Sequence, residues 1–170
     1  MNRFVLLTLM LFATTIGWSQ EPETPEHLFR VFYYDKDSVR IDIPENEHAA
    51  TKLTGLLAHK AKIVLYRDKA KTNLSNQKEV FVEVLDTAQL KPQFFRVYKL
   101  KVKKGNREAT RWSHSPISVK DSSSDFIPTT IYPVERNIYR IDIKDLPAGH
   151  YLILYQEGLR SLLEPYDFDK

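Results

Sequence analysis

The chain of 170 residues has no cysteine, which excludes thiol nucleophiles, Cys-ligated zinc and iron–sulfur chemistry together. Glycine is scarce, with five in all. None of them builds a phosphate-cradling loop or the Gly-x-Ser-x-Gly elbow of a serine hydrolase. The five histidines, His27, His48, His59, His114 and His150, never fall at metal-ligand spacing. No metal or cofactor is therefore expected. Past Ile16, no apolar run approaches the roughly 20 residues that a membrane helix needs. Charge of one sign is missing too: 25 basic residues face 22 acidic ones.

What is present begins with an export signature. Met1-Asn2-Arg3 is a short positive stretch, Phe4 to Ile16 is uncharged and apolar, and Gly17 and Ser19 are small residues placed for cleavage. Residues 1–19 read as a signal peptide cut before Gln20. No cysteine follows to carry a lipid anchor, and the mature chain is expected to have no transmembrane segment. Residues 20–27, with Pro22 and Pro25, read as a flexible lead-in. Residues 28–170 are long enough for a single domain with its own core, and a domain of that size does not require disulfides.

Period-two alternation dominates the remainder. Phe29, Val31 and Tyr33 share one face of a first strand, and Val39, Ile41 and Ile43 share one face of a second. Further strands are expected at 62–67, 79–85, 94–103, 107–112, 137–143 and 151–155. Lys104-Gly105-Asn106 supplies hairpin-turn chemistry. Tyr151 to Tyr155 is apolar on both faces, as a fully covered central strand requires. Residues 47–60 are ambiguous: Ala49, Ala50, Leu53, Leu56 and Leu57 have helical spacing, so a short helix and an irregular crossover both fit. Val39-Arg40-Ile41-Asp42-Ile43 is echoed by Tyr139-Arg140-Ile141-Asp142-Ile143. The fold class expected is an all-β, immunoglobulin-like antiparallel sandwich.

Leu146-Pro147-Ala148-Gly149-His150-Tyr151 resembles the Leu-x-x-Gly-x-Tyr entry to a late strand in exported β-sandwich modules. With Phe95 to Glu108 and Tyr166-Asp167-Phe168, it is similar to a loose group of exported Gram-negative bacterial proteins. The resemblance spans about Lys62 to Phe168. It implies a sandwich outside the cytoplasm, with Gly149 and Tyr151 forming a tyrosine corner in which the hydroxyl bonds back to upstream backbone. It implies no catalytic residue.

Two kinds of surface site stand out. Lys99, Lys101 and Lys103 alternate onto one side of a strand, about 7 Å apart, and Arg107 and Arg111 are expected to join them from the return strand. That stripe is a candidate anion-binding face for acidic glycan or lipopolysaccharide; lysines that simply keep a sheet soluble are the simpler reading. Nucleic acid is the least expected anion, given the export signature. Asp37-Ser38-Val39 and Asp86-Thr87-Ala88 make Ser38 and Thr87 candidate O-glycosylation positions. Ser113-His114-Ser115 lacks the surroundings of a nucleophilic serine, and no enzyme is expected. The aromatics Phe32, Tyr33, Tyr34, Phe94 and Phe95 exceed what one sheet face needs. The sequence therefore points first to a non-enzymatic, protein-interacting or structural component of the bacterial envelope, in the periplasm, on the outer surface or secreted. An anionic-glycan module acting through the 94–112 hairpin is the alternative.

Overall fold

Alternating residues sort this chain into two packed sheets. The computed structural model describes residues 27–54, 60–85, 88–113, 125–157 and 160–170. The expected signal peptide, the lead-in as far as Glu26, and Thr87 lie outside the described residues. In chain order the strands are β1 (Phe29–Tyr34), β2 (Arg40–Ile43), β3 (Ala49–Thr54), β4 (Lys60–Leu65), β5 (Thr72–Asn73) and β6 (Glu79–Val84). There follow β7 (Phe95–Lys103), β8 (Asn106–Ser113), β9 (Phe126–Ile127), β10 (Ile131–Glu135), β11 (Ile138–Asp142), β12 (His150–Glu157) and β13 (Arg160–Asp169). The helix considered for 47–60 is not formed where the chain is described. Ala49–Thr54 pairs residue for residue with β4, Ala49 opposite Leu65 and Thr54 opposite Lys60. Cross-strand bonding outweighs the weak helical spacing there; residues 55–59 lie outside the description.

One sheet has five strands in the order β10-β11-β6-β1-β2, and the other eight, along β3-β4-β8-β7-β12-β13-β5 with β9 beside β7. Among the described residues the strand pairings are antiparallel except the two-residue contact of β5 with β13. Between the sheets lies the main core. Phe29, Val31, Val82 and Ile141 from the first sheet meet Val97, Tyr151, Ile153 and Phe168 from the second, all fully buried. Each such aliphatic side chain contributes about 1.5–3 kcal/mol by leaving water. As the apolar run predicts, β12 is central and covered on both faces, since Leu152 and Leu154 on its other side are fully buried as well.

Their cover comes from the same sheet. Leu152 and Leu154 cluster with Tyr98 and Leu100 of β7, Ile63 and Leu65 of β4 and Ala109 of β8. The sheet therefore curls, bringing β4 and β8 over the outer side of β7 and β12. Arg107 of β8 reaches Asp167 of β13 with Nη2 2.6 Å from Oδ2, although β7 and β12 stand between those strands in the hydrogen-bonded order. A flat sheet would separate the two strands by about 14 Å, three spacings of roughly 4.8 Å.

Two tyrosines fasten the layers. The Tyr151 hydroxyl donates to the carbonyl of Pro147 at 2.5 Å, which is the tyrosine corner. Gly149 exchanges both backbone hydrogen bonds with Lys170, and its φ of +159° is one that other residues rarely adopt. The Tyr166 hydroxyl donates to the Phe29 carbonyl at 2.6 Å, tying β13 across the core to β1, and burial pushes its pKa well above the usual range. Tyr151→Phe keeps the ring but leaves the Pro147 carbonyl short of a partner. It should lower unfolding stability in denaturant melts by about 1–3 kcal/mol; an unchanged melt would contradict the corner's role.

Candidate functional site

The basic stripe divides between two faces. The β7–β8 hairpin turns through Lys104 and Gly105, whose φ values of +52° and +76° suit a two-residue turn. Lys103 then pairs with Asn106, Val102 with Arg107 and Lys101 with Glu108. Paired residues share a face, so Arg107 and Arg111 lie on the side opposite Lys99, Lys101 and Lys103. Both arginines are buried, Arg107 completely. Burial pushes Arg111 below its ordinary pKa, partly offset by the neighbouring Tyr98 oxygen. The expected five-residue anion face is thus corrected to three lysines of unequal freedom. Lys99 is half-buried, Lys101 holds Asp125 at 2.6 Å, and Lys103 is exposed. Parity across the two-residue turn was the signal that could have separated them.

Ser38 is exposed in the β1–β2 turn with φ +60°. The Asp35 carboxylate shapes that turn by accepting the backbone N–H groups of Asp37 and Val39, each at 2.9 Å. Ser38 is therefore accessible, as a modified residue must be.

The surplus aromatics find their place on the outer, solvent-facing side of the five-stranded sheet. The register aligns Asp42, Phe32, Phe81, Arg140 and Tyr132 in one row across β2, β1, β6, β11 and β10. Phe32 and Phe81 stack with centroids 5.3 Å apart, and Tyr34 meets both edge-on at 5.6 and 5.2 Å. Arg40 lies 3.9 Å over the Phe32 ring, and Arg140 lies 5.0 Å over Tyr132. Such arginine–aromatic contacts are attractive and hold both partners in place. Tyr34, Tyr132 and Val134 remain 43%, 40% and 49% exposed.

The sequence echo has its explanation on this face. Arg40 bonds Asp42 at 2.8 Å and Glu83 of β6 at 2.7 Å. Arg140 approaches Asp142 at 3.2 Å and Glu79 of β6 at 3.6 Å. Each Arg-x-Asp segment therefore spans from an aromatic ring to a β6 glutamate, one from either side of the β1–β6 pair. Burial opposes the Arg40 charge, but the bonds to Glu83 and Asp42 outweigh it and raise its pKa. The result is a braced platform: apolar rings at the centre, paired charges around them, and three exposed apolar side chains available for contact. Tyr33, Phe94 and Phe95 instead pack in or against the main core.

Asp125 gives a pH test of the hairpin. Burial alone would raise its carboxyl pKa, but hydrogen bonds from Lys101 and the Thr110 N–H hold it below the ordinary value. A depressed folded pKa stabilises the fold above the unfolded value and loses that effect as pH falls through the folded one. Asp125→Asn should therefore cost about 1–3 kcal/mol in melts at pH 7 and distinctly less near pH 2. An equal cost at both pH values would contradict this assignment. Searches against protein-family models, curated proteins and solved structures find no match to the chain, so its surfaces are read from their own geometry.

Proposed function

We propose that this is an exported, non-enzymatic β-sandwich of the Gram-negative envelope that works by holding a partner protein. Its contact surface is the outer face of the five-stranded sheet. The observation that carries this reading is the braced row of rings in which Tyr34, Tyr132 and Val134 stay exposed beside ion-paired arginines. Tyr and Arg are the side chains that protein interfaces concentrate, because each offers a large contact area with a polar handle. Rings and guanidinium groups already locked by mutual contacts lose little further freedom on binding. The alternative, an anionic glycan or lipopolysaccharide on the hairpin, is less well supported, because only part of the expected stripe is free.

The reading is tested by placing a photo-cross-linking residue at Tyr34 or at Lys103 in cells that make the protein. A discrete adduct with a single protein is expected from position 34 and not from position 103. The double variant Tyr34→Glu, Tyr132→Glu should stay folded, at a cost of about 1–3 kcal/mol for the lost ring contacts with Phe32, Phe81 and Arg140, and lose that complex, whereas Lys103→Glu should keep it. A complex that survives the double variant, or lipopolysaccharide adducts from position 103 alone, would overturn the proposal.

A further inference from the structure

A sheet presents unpaired main-chain N–H and C=O groups at its edges, and proteins usually blunt such edges against pairing. Among the described residues, three of the four edges are blunted. β10 carries Pro133 and a register shift, and β5 is only two residues long. β2 is short and runs on to Glu45 and Asn46, which bond to β13. β3 is the exception: six residues without proline, glycine or bulge, paired on one side with β4.

Strand parity fixes which groups of β3 face outward. The Tyr66 N–H donates to the His48 carbonyl at 3.2 Å, so these two form a hydrogen-bonded pair, one step beyond the Ala49–Leu65 pair. Hydrogen-bonded and non-bonded pairs alternate along an antiparallel ladder. Ala50, Lys52 and Thr54 therefore turn their main-chain groups toward β4, and Ala49, Thr51 and Leu53 turn theirs to the free edge. The side chains of these last three lie opposite Leu65, Ile63 and Ala61, on the face of the smaller core, against which Ala49 packs. Leu53 is 63% exposed, more than any other large apolar side chain among the described residues. The one charge on the strand, Lys52, leans back over its own sheet, with Nζ 5.0 Å above the Tyr66 ring.

We propose that β3 pairs with β3 of a second copy of this chain, antiparallel about a two-fold axis at Thr51. In that register Thr51 exchanges main-chain hydrogen bonds with the partner's Thr51, and Ala49 with the partner's Leu53, so every outward group from Ala49 to Leu53 is used. Leu53 comes to lie beside the partner's Ala49 and extends the smaller core across the junction, while Lys52 faces the partner's Ala50. An axis at Lys52 would set lysine against lysine, and like charges directly opposite are destabilising. An axis at Ala50 would place Leu53 beyond the end of the partner's strand. The protein-contact face lies on the other sheet, so this pairing does not rest on that reading.

The contact is small, below the roughly 1,200 Å² of stable complexes, so association depends on concentration. Sedimentation of the full mature chain between about 10 µM and 1 mM should show monomer passing to dimer. Over the same range, amide exchange followed by NMR should slow by about threefold or more at Ala49, Thr51 and Leu53. The Ala50 and Lys52 amides, already bonded to β4, should exchange slowly throughout. Thr51→Pro removes an N–H that the described fold does not use, and Leu53→Glu changes an exposed side chain; each should keep the chain monomeric. Leu53→Glu decides the matter if the proline variant unfolds. Tyr34→Glu with Tyr132→Glu should dimerise like wild type. A monomer at every concentration, a dimer that survives Leu53→Glu, or exchange that slows elsewhere but not at these three amides would each overturn the proposal.

Discussion

The contact on which the architecture turns is the ion pair between Arg107 and Asp167. Arg107 is fully buried, and its partner sits three places along the sheet, with two strands between. Charges are expensive to bury, and a pair in the interior is tolerated only when its geometry and remaining hydrogen bonds are good. Here the Arg67 carbonyl and Asn46 complete much of that shell. The pair is met only if β8 folds over the outer side of β7, β12 and β13. That curl in turn covers Tyr98, Leu100, Leu152 and Leu154, which would otherwise lie open on the sheet's outer face.

An asymmetry follows. The eight-stranded sheet closes its outer side with its own strands, whereas among the described residues the five-stranded sheet covers its outer side only with side chains. Phe32 is sealed there by Arg40 and by neighbouring rings, while Tyr34 and Tyr132 stay in contact with solvent. The same chain thus uses arginine in two ways: inside, to pin a curl, and outside, to brace an aromatic surface. The surface left free by this division is the one assigned to a partner.

Much of the fold was legible because period-two patterns need no tertiary information. The strands containing Val31, Ile41, Val82, Leu100, Ile141 and Ile153 all lie close to where alternation puts them. Ala49–Thr54 was not legible, since Ala49, Ala50 and Leu53 have the spacing of a helix and the strand character comes from pairing with β4. The length of β13 was hidden for a similar reason: Pro165 and a register shift opposite Ile153 and Tyr155 interrupt its pattern. The corner at Tyr151 could be read because its motif is local. Arg107 was misplaced on the lysine face, since its burial depends on turn parity and on a curl that no short stretch encodes. The aromatic surplus was visible as a count, but its organisation into one row required the register of five strands.

A double-mutant cycle on the ion pair tests the account at its centre. Arg107→Met and Asp167→Leu should each cost about 3–5 kcal/mol in denaturant melts, because each leaves a buried charge alone. The double variant should recover most of that loss, since an apolar pair can occupy the same curl. Losses that simply add in the double variant, or single variants that melt like wild type, would contradict the claim that this pair holds the curled sheet in place.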